Sequence, residues 1–194
     1  MNRHENLVPA DGYRHVKMHP EARVALNATV IGDVELARDA TVLPEAAIRA
    51  DYGERIVIGE GSDVQEGCSL HVDAGFPLTV GRNVIIGHNA TVHGCTVEDG
   101  VLIGMGAIVM NGVRVGKEAL IGAGALVPEG REVPPRAVMV GVPAKQIRTL
   151  TDEEVAQNAA DAALYVEIGK QMERDGIVVA GANMPRNIPA IGIE

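Results

Sequence analysis

Large rings are almost missing from this chain: there is no Trp, one Phe and three Tyr in 194 residues. A core of ordinary composition fills volume with such rings. This one must be built from Val, Ile, Leu and Ala, in a chain that is 46% hydrophobic. Basic clusters are missing too. The net charge is −9 and no Lys/Arg-rich block stands out, which excludes the electrostatic footprint of a nucleic-acid binder. No apolar run reaches the ~18–20 residues that span a bilayer. The opening MNRHENLVPADGYRHVK also lacks the apolar centre of a signal peptide, so a cytoplasmic chain without a membrane partner is expected. Cys68 and Cys95 form no Cys-x-x-Cys pair and imply no disulfide framework.

What the chain does have is a period. Val24, Val30, Leu36, Val42 and Ile48 follow one another at intervals of six. A jump of ten leads to Ile58, Val64 and Leu70, and another to Val80, Ile86 and Val92. After a step of five, the run Val97, Ile103, Val109, Val115, Ile121, Val127 resumes, and Met18 extends the series upstream. Position i+4 is usually small (Ala28, Ala46, Cys68, Ala90, Ala107), and Gly, Asn or Asp recurs two or three places after the aliphatic residue. Neither a helix nor a simple strand yields this spacing; a solenoid with one short strand and one turn per hexapeptide does. Three hexapeptides per coil make a triangular prism of about six coils, the i residue filling each inner face. The pattern resembles the hexapeptide-repeat proteins, mainly β and folded as a left-handed parallel β-helix. That hand is implied by the resemblance alone, since it opposes the usual crossover rule.

The expected organisation is a β-helix with its lead-in over residues 1–150, a helix over 151–175 and an irregular tail over 176–194. The helix opens on a Thr-x-x-Glu capping box at Thr151 and carries Val155, Ala159, Ala162, Val166 and Met172 as an apolar stripe.

Against this frame the histidines acquire directions. One coil is 18 residues, or 22 when it carries a four-residue loop. His71 and His93 are 22 apart, both at i+1, so they stack on consecutive coils; Arg49, another 22 residues earlier, heads the same column. His88, at i+2, starts from the opposite corner of the face on which His93 ends. Five extended residues separate those corners by roughly 16 Å, a gap that zinc–nitrogen bonds of ~2.0–2.1 Å do not close within one chain. A neighbouring subunit around a threefold axis can close it. His4, His15 and His19 show no such relation and are expected at the surface.

The segments IRAD, DVQEGCSLHV, IGHNATVHGC, VLIGMGAIV, IGAGALV and GVPAKQIR closely resemble the γ-class carbonic anhydrase family over about residues 15–150. The resemblance implies a homotrimer with a zinc ion (or cobalt, or iron) at each subunit interface, held by His71 and His93 of one chain and His88 of the next. A metal-bound hydroxide would then hydrate carbon dioxide reversibly to bicarbonate. Gln65 and Glu66 share the His88 edge; the match gives Gln65 a role holding the bound water or bicarbonate, while Glu66 stands where the family has Asp. Arg49 and Asp51 match an Arg-Gly-Asp stretch and are expected to pair between subunits. Tyr165, with Asn158 two helical turns before it, resembles a helical segment of related bacterial members whose Tyr hydroxyl lies near the metal. Cys68 is expected in the core and Cys95 in packing.

Prototype-like members carry glutamates for proton transfer in two loops. Here Tyr52 and Ala74 occupy those places, with Glu54 nearby as a substitute. The DYGE stretch also resembles members from carnitine and phenylacetate pathways, for which thioesterase activity has been proposed. Two alternatives therefore accompany the hydration reading: a metal-dependent acyl-CoA thioesterase, and a catalytically weak trimeric scaffold.

Overall fold

A six-residue repeat can coil only if the chain bends once per repeat, and the bend falls at i+3. Asp39, Glu45, Gly61, Gly67, Asn83 and Asn89 occupy that position, with φ between +53° and +70°. Achiral Gly, and among L-residues Asn and Asp, adopt this conformation most readily, which accounts for their frequent recurrence there, Glu45 being an exception.

The structure, a computed structural model, describes residues 13–193, so His4 lies outside the described residues. Short strands line up in three parallel sheets that the chain visits in rotation. The first face stacks seven strands from Lys17–Met18 to Glu132–Val133, and the third stacks six from Thr29–Gly32 to Leu126–Val127. The second face runs from Arg23–Ala25 to Ala137–Val140 and gains an antiparallel strand at each end. The result is a β-helix of about seven turns against the six expected. The extra turn arises because the six-residue series continues past Val127 through Val133 and Met139. Every aliphatic residue at i from Val24 to Val127 is at most 1% exposed. Burying one such side chain is worth about 1.5–3 kcal/mol, so the aliphatic column inside the prism supplies what aromatic rings supply elsewhere.

The two antiparallel strands close the ends. Lys145–Thr149 covers Ala137–Val140, and Val178–Ala180 covers Arg23–Ala25. The second pairing corrects the expectation of a wholly irregular tail. The exposed edge of the first coil offers unpaired N–H and C=O groups, and Val178–Ala180 satisfies them.

The C-terminal helix (Asp152–Arg174) starts at the expected capping box, where the Thr151 hydroxyl accepts from the Glu154 backbone and the Glu154 carboxylate accepts from the Thr151 backbone. It docks on small residues. Only Ala162 and Gly169 are fully buried, while Ala159 is exposed, a correction to the expected stripe. A Cβ on Gly169 would stand 2.7 Å from Thr41 Oγ1, so glycine there sets how closely the helix approaches the second face. At its far end Arg23, 5% exposed, donates to Asp39 and Glu173, both at 2.9 Å, tying helix to first coil. No helix among the described residues is long and apolar enough to cross a membrane.

Candidate active site

Register alone builds the first half of the site. Arg49, His71 and His93 are direct Cα partners on three successive strands of the third face, as the 22-residue spacing predicts. The two imidazoles meet edge-on, their centroids 4.8 Å apart, with His71 Nδ1 2.9 Å from His93 Nε2. Each ring's other nitrogen has a partner. His71 Nε2 lies 2.7 Å from Asp51 Oδ1, and His93 Nδ1 lies 2.6 Å from Asn111 Oδ1. Asp51 is 1% exposed and also accepts from the Arg49 guanidinium of its own chain. Burial holds the His71 pKa below its ordinary value, against the raising effect of Asp51, and favours the neutral ring. Tyr52 stands edge-on to His71 at 6.0 Å. Glu54 accepts from the Gly75 backbone at 2.8 Å and ties the two loops together, with exposed Ala74 beside the junction.

The second half lies on another corner. His88 Nδ1 is 2.7 Å from Glu66 Oε2, an ion-pair contact that falls short of an aligned hydrogen bond. His88, Gln65 and Tyr165 line one groove of about 550 Å³ between the second face and the helix. Its walls are otherwise largely apolar, with Ile85, Leu102, Leu120, Leu164 and Ile168. Gln65 is 2% exposed and its Nε2 donates to nothing. Asn158 Nδ2 is likewise buried without a partner, but Asn158 does not line the groove.

The structure thus unites His71, His93, Arg49, Asp51 and Tyr52 on one edge, and His88, Glu66, Gln65 and Tyr165 on another. Among the described residues, no three His, Cys, Asp or Glu side chains of the single chain gather into a metal-holding cluster. The residues nonetheless fit an ion. Two nitrogen ligands of a tetrahedral ion stand about 3.3 Å apart, close to the 2.9 Å between His71 Nδ1 and His93 Nε2. Acceptors on the outer nitrogens fix ring orientation, as around metal-ligating histidines generally.

Residues 94–129 match the family model described as bacterial transferase hexapeptide (six repeats). A probable carbonic anhydrase of Methanocaldococcus jannaschii is 40% identical over 151 residues, covering 78% of this chain and 94% of the relative. The chain belongs to the γ-carbonic-anhydrase-like branch of the hexapeptide-repeat family. The carnitine operon protein CaiE of Citrobacter koseri is 36% identical over 78% of this chain and 73% of its own length. Among solved structures, a putative acetyltransferase of Bacillus cereus superposes with a TM-score of 0.79 at 34% identity, covering 82% of this chain and 92% of that one. A hexapeptide transferase family protein of Anaplasma phagocytophilum gives 0.77 at 29% identity, over 80% and 92%.

Three polar residues escaped sequence reasoning. Asn111 shares the edge with His93 but sits at i+2, one place off its column. Asp161 is a groove-lining carboxylate on the helix, hidden among helix-forming residues. Asp63 precedes the inward Val64 on a strand that reads as half-exposed, yet it is 2% exposed because the second face is covered. Burial raises its pKa to about 7, Glu66 adds to the rise and Gln65 offsets part of it, though neither carboxylate oxygen meets an aligned donor. Both cysteines are buried, as expected. Burial pushes Cys68 up to about 11 and Cys95 up to about 12.

Proposed function

We propose that this chain forms a metal-dependent enzyme that hydrates carbon dioxide reversibly to bicarbonate. Its centre would lie between subunits of a homotrimer, with His71 and His93 from one chain and His88 from the next. One observation carries the reading: two stacked imidazoles, each with its outer nitrogen held by an acceptor and its inner nitrogen turned toward the other. A bound zinc, cobalt or iron ion would supply Lewis acidity, which for carbonic anhydrase zinc is established to bring the pKa of water to about 7.

The chain's own residues supply the rest. Asp51 and Asn111 hold the outer nitrogens of His71 and His93, and burial keeps His71 a neutral lone-pair donor. Glu66 occupies the Nδ1 side of His88. The idle Nε2 of Gln65 is a hydrogen-bond donor for a bicarbonate oxygen, and the Tyr165 hydroxyl offers another from the helix. Ile85, Leu102 and Leu120 give an apolar gas a dry wall.

Protein purified without oxygen should carry one divalent ion per chain, sediment as a trimer and exchange ¹⁸O between carbon dioxide and water. His93→Ala should lose the ion and at least ~100-fold of the exchange. A metal-loaded trimer with no exchange would refute the reading. The apolar groove beside His88 also has room for a short acyl chain, which supports thioester hydrolysis as the second reading. Acyl-CoA hydrolysis measured on the same sample decides between them.

A further inference from the structure

We propose that Asp161 is the proton acceptor of this site, an inference that rests on the hydration reading. Hydration of carbon dioxide by water yields bicarbonate and one proton, and each turnover must export that proton. Tyr52 and Ala74 cannot accept it as carboxylates would. Glu54 is engaged with the Gly75 backbone at 2.8 Å. Glu66 is committed to His88. Asp63 is sealed from solvent at 2% exposure and cannot pass a proton to buffer.

Asp161 is the acid among the residues lining the His88 groove, and it is half-buried, so it touches both groove and solvent. The docking register places it. Glu173 bonds Arg23, Gly169 abuts Thr41, and a Cβ on Gly61 would stand 3.7 Å from Val166, while Ala159 shares a groove with Gly100. Three to four helix residues thus pass per coil, as a 1.5 Å rise along the helix and ~4.8 Å between strands require. The coil carrying His88 falls between Val166 and Ala159, at the level of Asp161 to Tyr165. Gln157 Nε2 donates to Asp161 Oδ1 at 2.8 Å, which orients the carboxylate. The proton is taken by Asp161, giving a neutral carboxylic acid, and then leaves to a buffer base.

The test is Asp161→Asn in the metal-loaded trimer, with metal content and trimer mass verified. In dilute buffer kcat should fall at least tenfold while kcat/KM stays within twofold, and tens of millimolar imidazole should restore kcat. Independently of turnover, the ¹³C-carboxyl NMR signal of Asp161, identified by its loss in the variant, should shift when bicarbonate is added. Equal kcat in both proteins, a parallel fall of kcat and kcat/KM, or a signal indifferent to bicarbonate would each overturn the proposal. A wild-type trimer without exchange would overturn the hydration reading and this inference with it. Normal exchange with an indifferent variant overturns this inference alone.

Discussion

Asp63→Asn should stabilise the protein, and increasingly so as pH rises above the ordinary carboxyl range. The side chain is 2% exposed, and one of its two register partners, Thr41, also has a hydroxyl with no partner. Asparagine keeps the volume and removes the titration. Below pH ~3 the carboxyl is protonated in folded and unfolded chains alike, and the native protein suffers no penalty. Between the ordinary 3.8 and the folded value of about 7, the unfolded chain ionises first, so native stability falls as pH rises; above about 7 the loss is complete. At about 1.4 kcal/mol per pKa unit, that rise corresponds to a ceiling of about 4 kcal/mol. Relaxation and water entry absorb part of such a penalty, so about 2 kcal/mol is the working expectation. For a chain of this length 1 kcal/mol moves Tm by about 2–4 °C. Melting curves of both proteins at one fixed concentration, from pH 5 to pH 8, should show the variant's advantage growing to about 4–8 °C. A gap that is the same at both ends of that range would refute the reasoning, because it would mean that Asp63 does not titrate where its burial demands.

Two further substitutions separate backbone from site. Gly67→Ala puts a side chain at φ +70°, with its Cβ 2.4 Å from Asn89 Oδ1, and should cost about 1–2 kcal/mol and lower Tm by about 2–8 °C. Glu66→Gln removes the charge facing His88 Nδ1 without changing shape, and competition with a chelator should show metal affinity ~10- to 100-fold weaker in an intact trimer.

The inside of the prism was legible in the sequence because its rule is local. An aliphatic residue every six positions leaves no other way to bury the series, and the coil lengths then fix which side chains stack. That spacing alone aligns Arg49, His71 and His93. The outside follows no such rule. Thr41, Asp63, Ile85 and Leu102 occupy equivalent outward positions on successive strands, and nothing in the repeat says which are covered. The covering element docks through Ala162 and Gly169, residues too small to leave an amphipathic signature. Asp63 therefore reads as a surface acid and turns out to be buried. The closing strand Val178–Ala180 was missed for a related reason: its partner is the first coil, more than 150 residues away, and three residues carry little pattern.

The same periodicity explains why the candidate centre is divided. A solenoid brings side chains together when they are one coil apart in the same register, and it separates those that differ by a partial coil. His71 and His93 meet under that rule. His88, five residues before His93, is sent to another corner, where it meets Glu66 and the groove under the helix. No bending of so regular a stack brings the three rings together, because the inner column from Val24 to Val127 is already packed with aliphatic side chains at most 1% exposed. A centre using all three therefore requires a second copy of the chain, so metal content and assembly should rise and fall together.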